Sequence, residues 1–566
     1  MFPAVGGLGV RAIGSPDGDI AKHVWTLWWM RQEALAGEPG LLTRLVNYPD
    51  GLPLYPIDPL DGLLGILVPL PPVDLANGLA YLHLTLLGLA AGWLGRLVSG
   101  SRLGGSVAGA LTQGSAFAAF TLHVGVGELR QLWWLPLGLG CLLRAHETAQ
   151  WRWFLALGAA GAGATISCFY HGAFLGLAVA TWLLFSPPPS ARAAGGYAVA
   201  LALALALALP AVRAFAGSYG DSRGLDDLAD PLTYEVTRDD SCSAASLDDL
   251  YLPRALARSL LDSEQRAYTG GRYLGFIAMA MALAGLRAAP RRALPWAAVA
   301  VVGVVLSLGA APHVGGQPIE GVWARWGLPF SWLNAALARV AEPINFPSRF
   351  LALTMIALPA LASLAIRWRW SALLVPLAII EVQSADLVPW PRESFSLPLV
   401  RGLSGKGAIF DLGLALDDSR ASRLLNMSVQ MVVSSPTQAV PIDRLDRWHN
   451  EGARWARALP LTQSLASRTP GPVEVYREDL ALLRARGFER ILLTHPGDGL
   501  DPQYDGLLTA LCGPPQRADV ATLWTLPQSE ATSQELARWS EAQAARVAAL
   551  PETDTPGHYP TSPALH

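Results

Sequence analysis

The sequence predicts an all-α polytopic membrane bundle of about ten spans, followed by a small α/β domain. Three observations predict it. The chain is 52% hydrophobic and only 15% charged over 566 residues, less charge than a soluble chain of this size carries. Its apolar residues cluster in runs of about 20, the length that crosses the hydrocarbon core of a bilayer. After Trp390 those runs give way to a mixed pattern in which helix-like and strand-like segments alternate.

Met1 to Gly14 is apolar but too short to span, and it lacks the charged start of a signal peptide. It reads as the stump of a missing first helix. From Ile20 to Ala36 the apolar positions Val24, Leu27, Trp28 and Leu35 recur at roughly helical spacing among polar residues. This predicts a short amphipathic helix lying in the membrane interface, its tryptophans at headgroup depth. A Pro/Gly-rich strip runs to Pro59, and Leu60 to Leu70 is an apolar piece too short to cross, so it re-enters the membrane or lies on it.

Six spans are expected at about Asn77–Leu97, Leu103–Leu122, Gln131–Leu143, Trp151–Tyr170, Gly172–Phe185 and Ala194–Val212. Four more are expected at about Tyr273–Leu286, Ala293–Ala311, Phe350–Ile366 and Ser371–Val388. Lys and Arg concentrate in the cytoplasmic loops of membrane proteins. Here Arg96 and Arg102, Arg144 and Arg152, Arg192, Arg287 with Arg291 and Arg292, and Arg367 with Arg369 fall at alternate connections. The opposite connections are therefore outer: residues 1–76, the turn at Glu128, the Tyr170/His171 corner, the loops 213–272 and 312–349, and everything after Trp390.

Four regions follow: a first outer loop (1–76), the bundle (77–390) with its long Asp-rich outer loop (213–272), an outer α/β domain (391–527) and a polar tail (528–566). Within the outer domain, strands are expected at Gly407–Leu414, Glu489–His495 and Ala521–Leu526. A helix is expected at Asp479–Gly487, closed by Gly487. The net charge of −3 and the lack of a basic stripe argue against a nucleic-acid partner. Four cysteines make no disulfide framework, although Cys242 and Cys512 share the outer side and form either one bridge or two free thiols. No phosphate-binding glycine loop, HExxH or Cys-rich metal motif is present. Nor is there an internal repeat, or a charged residue deep in the spans of the kind that marks an ion path, so a secondary transporter is disfavoured.

The motifs DGDIAKHVWTLWW, NYPDGLPLYPIDP, GVGELRQLWWLPL, LDDLYLPRAL, EQRAYTGGRYLGF, LPFSWLN and INFPSRF follow one another on the outer side, and RARGFERILLTH with DVATLWTL ends the series. In that order they resemble the GT-C superfamily of multi-span glycosyltransferases, closest to a largely uncharacterised bacterial group with a soluble C-terminal domain. The resemblance implies a bundle of GT-C type in the bacterial inner membrane. It further implies transfer of a sugar, hexosyl or pentosyl, from a polyprenyl-phosphate donor to an acceptor at the outer face. The alternative is a non-catalytic relative that binds or assembles envelope polymers.

Such transfer needs a carboxylate to take the acceptor proton and positive charge to stabilise the departing phosphate. The resemblance makes Asp19 the first-loop acid, as base or as ligand of a divalent cation should one be used, with Asp17 beside it. The same two residues suit the N-terminus of the helix that follows. Glu128 is a second acid, or the partner of Arg130. His23, one turn from Asp19, shares its helix face as a further ligand or is a solvated interface residue. Arg349 and Arg272 open spans on the outer side, against the usual charge bias, and either clamp the donor phosphate or reach lipid headgroups. His171 is a cavity donor or an interfacial residue. Trp25, Trp28, Trp29, Trp133 and Trp134 read as belt and packing residues.

Overall fold

The computed structural model describes residues 12–14, 19–37, 42–46, 48–49, 51–219, 244–251, 271–314, 317–319, 327–337, 346–366, 373–385, 400, 402–416, 420–437, 451–467, 473–494 and 502–550. Asp17, Cys242, most of the Asp-rich loop and the end of the tail lie outside these residues.

The first helix, α1 (Ile20–Ala36), is closed by Gly37 in the left-handed conformation at φ +75°, its N–H returning to Ala34 and Glu33. The helix is enclosed rather than one-sided. Trp25, Trp28 and Trp29 are all buried and Trp25 stacks on Trp29, so these indoles form a core instead of standing at headgroup depth. A two-stranded hairpin of β1 (Leu42–Thr43) and β2 (Leu52–Pro53) follows. Next comes α2 (Pro59–Leu67), which the sequence left as either a re-entrant or a surface piece. Its Gly62 lies so close to Met30 that a side chain there would collide, and Gly65 faces Leu75 with little room to spare, while Leu63, Leu64, Ile66 and Leu67 are exposed.

Each expected span has a helical counterpart. These are α3 (Pro72–Ser99), α4 (Arg102–Gln113) with α5 (Ala116–Val124), α7 (Trp134–Thr148), α8 (Trp151–Ser167), α9 (Phe169–Phe185) and α10 (Ala191–Tyr219). The short α6 (Gly127–Arg130) occupies the turn between α5 and α7. Residues Leu103–Leu122 form two helices because the chain breaks at Gly114 and restarts under Ser115, whose hydroxyl accepts from Ala118 N. After α11 (Leu247–Tyr251) come α12 (Phe276–Ala288) and α13 (Pro290–Ser307). The hairpin β3 (His313–Val314) and β4 (Gln317–Pro318) and then α14 (Pro329–Leu337) precede a 3₁₀ turn (Pro347–Phe350) that runs into α15 (Leu351–Ala365), and α16 (Leu374–Ala385) ends the bundle. Among the described residues, three helices are long and apolar enough to cross a membrane: Pro72–Ser99, Ala191–Ala216 and Pro347–Ala365.

Packing follows the small residues. A side chain at Gly105 or Gly109 would strike the carbonyls of Gly92 and Gly88, so α3 and α4 meet backbone to backbone. The helix α10 has only 11% of its apolar window buried and turns Leu201 and Leu205 outward, as a lipid-facing helix would. Glu381, inside the expected span Ser371–Val388, corrects the expectation of uncharged spans. It accepts from Tyr273 Oη (2.5 Å), Phe276 N (2.6 Å) and Ile277 N (3.0 Å), so it caps the start of α12.

The C-terminal part holds a four-stranded sheet in the order β5–β6–β8–β7, built from β5 (Ala408–Asp411), β6 (Phe488–Thr494), β7 (Gln516–Ala518) and β8 (Ala521–Thr525). The pair β5–β6 is parallel; β6–β8 and β7–β8 are antiparallel. The first expected strand is shorter than the sequence pattern, since Leu412–Leu416 coils into α17. Helices α18 (Arg420–Val433), α19 (Glu451–Arg457), α20 (Pro460–Ser467), α21 (Val473–Ala485), α22 (Pro502–Cys512) and α23 (Ser533–Ala549) surround the sheet. Gly487 follows α21 with φ +91°, and Cys512 is a free thiol.

This part docks on α1. Trp25 Nε1 donates to Gln430 Oε1 (2.8 Å), and Gln430 Nε2 donates to the Leu45 carbonyl (2.8 Å). Met427 of α18 joins the same core as the α1 tryptophans.

Candidate active site

Three short elements converge at the start of α1. His23 lies one turn into that helix. Asp58 is the residue before Pro59, which opens α2 with a fixed φ and no N–H to satisfy. Glu128 comes from α6. His23 Nδ1 is hydrogen-bonded to Asp58 Oδ2, while its Nε2 faces Glu128 Oε2 at 3.2 Å, an ion-pair distance without hydrogen-bond alignment. The imidazole is thus held between two carboxylates.

Backbone closeness makes the contact possible. A Cβ on Gly127 would collide with Asp58 Oδ2 and His23 Nδ1, and one on Gly125 (φ +70°) would meet Ile20 Cβ at 2.7 Å. Arg130 does not take Glu128 as its partner in the way the sequence alternative allowed. Its Nη2 donates to the carbonyls of Ile13 and of Leu122. Ile13 N in turn donates to Asn77 Oδ1 (2.7 Å). The guanidinium therefore pins the turn that presents Glu128.

Charge balance follows from this enclosure. Burial alone would lower the His23 pKa, but the charge and hydrogen bond of Asp58, with Glu128 and Asp19 behind, outweigh it and hold the group up at about 9. Burial raises the Glu128 pKa above the usual carboxylate range against the opposing pull of His23. A second acid–imidazole pair lies one turn along α2. Both oxygens of Asp61 are 3.0 Å from His83 Nε2, and burial raises the Asp61 pKa despite that partner.

Arg349, in the 3₁₀ turn before α15, places its guanidinium over the rings of Phe346 (4.3 Å) and Tyr170 (4.7 Å). Its charge reaches Glu128 and His171. His171 is fully buried, and neither ring nitrogen has a hydrogen-bond partner, a cost that a ligand with polar atoms would remove. Asp19 sits at the rim, its side chain 41% exposed and paired with Lys22 at 3.3 Å. Its carboxylate makes no side-chain cap to α1, yet its charge acts on both His23 and Glu128. Arg272 belongs elsewhere: it is buried against Asp249 Oδ2 (2.9 Å), which also accepts Ser246 N.

The structure therefore joins His23 directly to Glu128, with Asp19 and Arg349 in electrostatic range, and leaves Arg272 on a separate buried pair. Sequence reasoning missed Asp58, Asp61 and His83. The signal for the first two was an Asp directly before a helix-opening proline and another three residues on, the same pattern of acids at a helix start that drew attention to Asp17 and Asp19.

His23, Asp58 and Glu128 place one ligand atom each within 4.8 Å of one another, and Asp58 Oδ1 and Glu128 Oε2 are buried without hydrogen-bond partners. One imidazole nitrogen with two carboxylate oxygens suits Zn²⁺ or Mn²⁺. A divalent cation held by this set would compete with the proton on His23.

No protein-family model and no curated protein matches the sequence. Among solved structures the chain is similar to the oligosaccharyltransferase of Archaeoglobus fulgidus in the apo form, at 14% identity over 86% of this chain and 66% of that one, with a TM-score of 0.40. It is also similar to archaeal oligosaccharyltransferase AglB from Archaeoglobus fulgidus in complex with an inhibitory peptide and a dolichol-phosphate, at 14% identity over 86% of this chain and 66% of that one, with a TM-score of 0.39. A third similar structure is ArnT from Cupriavidus metallidurans in the apo state, at 13% identity over 93% of this chain and 97% of that one, again with a TM-score of 0.39. The chain spans 66% of the length of the archaeal enzyme.

Proposed function

We propose that this chain is a membrane glycosyltransferase of GT-C type that moves a sugar from a polyprenyl-phosphate donor to an acceptor at the outer face of the bacterial inner membrane. The observation that carries the reading is the convergence of Asp58 and Glu128, from the first two outer segments, on His23, with Asp19 at the rim and the charge of Arg349 within reach.

The acceptor oxygen bonds to the anomeric carbon as the bond from that carbon to the phosphate oxygen breaks. The leaving phosphate keeps the electron pair, and the acceptor proton passes to Glu128. A carboxylate whose proton affinity burial has raised is a stronger base than one in water. Asp19 orients the acceptor at the mouth, with Asp17 beside it in sequence. Arg349 grips the phosphate bidentately, and His171 donates its one ring N–H to the same group. Arg272, which the sequence placed with the phosphate ligands, acts instead through its pair with Asp249, as an anchor for the start of α12. A divalent cation bound by His23, Asp58 and Glu128 would supply positive charge for the departing phosphate.

The test is a transfer assay in membranes with labelled polyprenyl-phosphate sugars, comparing wild type with Glu128→Gln, Asp58→Asn, Asp19→Asn and Arg349→Met. The first two should lose at least about 100-fold. Undiminished transfer by both Glu128→Gln and Asp58→Asn would overturn the assignment.

A further inference from the structure

The helix that delivers Asp58 is poorly suited to hold it in place. Helix α2 has 9 residues, two of them glycine, and isolated helices below about 12 residues are marginal in water, with each glycine costing about 1 kcal/mol against alanine. Asp58 makes no side-chain cap to its own helix, so its carboxylate lies where α2 as a whole is fixed.

What fixes the first turn is its other acid. Both oxygens of Asp61 take His83 Nε2 at 3.0 Å. The second nitrogen of that ring accepts from Trp133 Nε1 at 3.2 Å. An indole N–H can only donate, so the His83 proton sits on Nε2, toward Asp61, and the ring can neither flip nor change tautomer without losing a bond. Trp133 is itself held: it stacks on Trp134 with centroids 3.9 Å apart, and Trp134 Nε1 donates to Ser167 Oγ at 2.9 Å. A chain of anchors therefore runs from α2 through α3 and α7 to the end of α8.

We propose that Asp61, His83 and Trp133 are positioning residues that hold the Asp58 carboxylate against His23, a role that rests on reading the His23 cluster as the reacting centre. Glutamine separates this role from proton transfer. Its amide N–H can donate to Asp61 and its oxygen can accept from Trp133, so it reproduces both bonds of His83 while carrying no titrating proton.

The experiment uses the full chain in detergent, labelled with ¹⁵N-histidine, together with the membrane transfer assay. The His23 ring proton shared with Asp58 should give a low-field resonance. It should be lost in His83→Ala and Asp61→Ala and kept in His83→Gln. Transfer should fall about 100-fold in the alanine variants, mainly in kcat, as for a group displaced by about 1 Å, and stay within about threefold of wild type in the glutamine variant. A His23 resonance unchanged in folded His83→Ala and Asp61→Ala would overturn the proposal. So would a glutamine variant that behaves like alanine, because that result assigns His83 a proton. Should His83→Ala not fold, Trp133→Phe removes only the N–H and keeps the stack, and an unchanged His23 resonance there overturns the proposal equally. Wild type that gives the resonance but no transfer would refute the enzymatic reading while the spectra still decide the positioning role.

Discussion

Replacing Asp58 with asparagine keeps the size of the side chain and removes the charge that opposes the desolvation of His23. The wild-type imidazole is held at about 9 against an ordinary 6.5, a difference that corresponds to about 3 kcal/mol in favour of the charged form. Because the folded value lies above the unfolded one, this stabilisation is fully present below pH 6.5 and is lost as pH rises through 9. Without Asp58 the His23 pKa loses its two strongest upward influences, the charge and the hydrogen bond of that carboxylate, and falls. Asp58→Asn should therefore destabilise the protein most at pH 6, and the deficit should shrink steadily toward pH 10. Thermal unfolding of wild type and variant, in one detergent and at pH 6, 8 and 10, measures this directly. A deficit of equal size at pH 6 and pH 10 would refute the argument, because it would mean that shape rather than charge holds the cluster together.

Three other outcomes can be checked. Gly127→Ala should separate α6 from His23 and abolish the proposed transfer while leaving the C-terminal sheet and its helices folded, as limited proteolysis would report; normal transfer would contradict the contact. Asp479, buried with its Oδ2 accepting from Leu461 N at 2.6 Å, has its pKa pushed up by burial to about 7. A raised carboxyl makes the fold lose stability as pH rises from about 4 through 7, so Asp479→Asn should overtake wild type in melting temperature above pH 7 and match it near pH 4. Breaking the buried pair through Arg272→Met should cost about 3–5 kcal/mol by removing the guanidinium that faces Asp249 Oδ2, seen as a lower melting temperature that the double variant Arg272→Met/Asp249→Leu restores in part.

The course of the helices was legible because long apolar runs without a strand period fold as helices; each of the ten expected spans has a helical counterpart, and three of the described helices are long and apolar enough to cross a membrane. What the runs could not give was their interruption: nothing in the hydropathy of Leu103–Leu122 outweighs the local fact that Ser115 caps a new helix. Glu381 escaped for the opposite reason. It stands in an apolar run, and its partners at Tyr273, Phe276 and Ile277 lie more than 100 residues upstream. In the site, Glu128 and His23 could be named from their place in segments expected on the outer side, but their contact could not. The link that joins them, Asp58, sits beside a proline in a strip that reads as loop, and the partner of Asp61 is a histidine inside a span. Those pairings depend on the glycines at 62, 65, 125 and 127, whose missing side chains set the distances, and such distances are a property of packed surfaces rather than of any local pattern.

The bond between Trp25 and Gln430 joins residues 405 positions apart. At a synthesis rate of about 5–20 residues per second, Trp25 emerges from the ribosome about 20–80 seconds before its partner exists. For that interval α1, with three indoles and the histidine of the site, is a finished segment without its cover. Its surroundings are completed by a helix made after all the helices from α1 to α17. A chain that stops short of α18 therefore holds His23, Asp58 and Glu128 but lacks the two side chains, Met427 and Gln430, that complete the packing around Trp25.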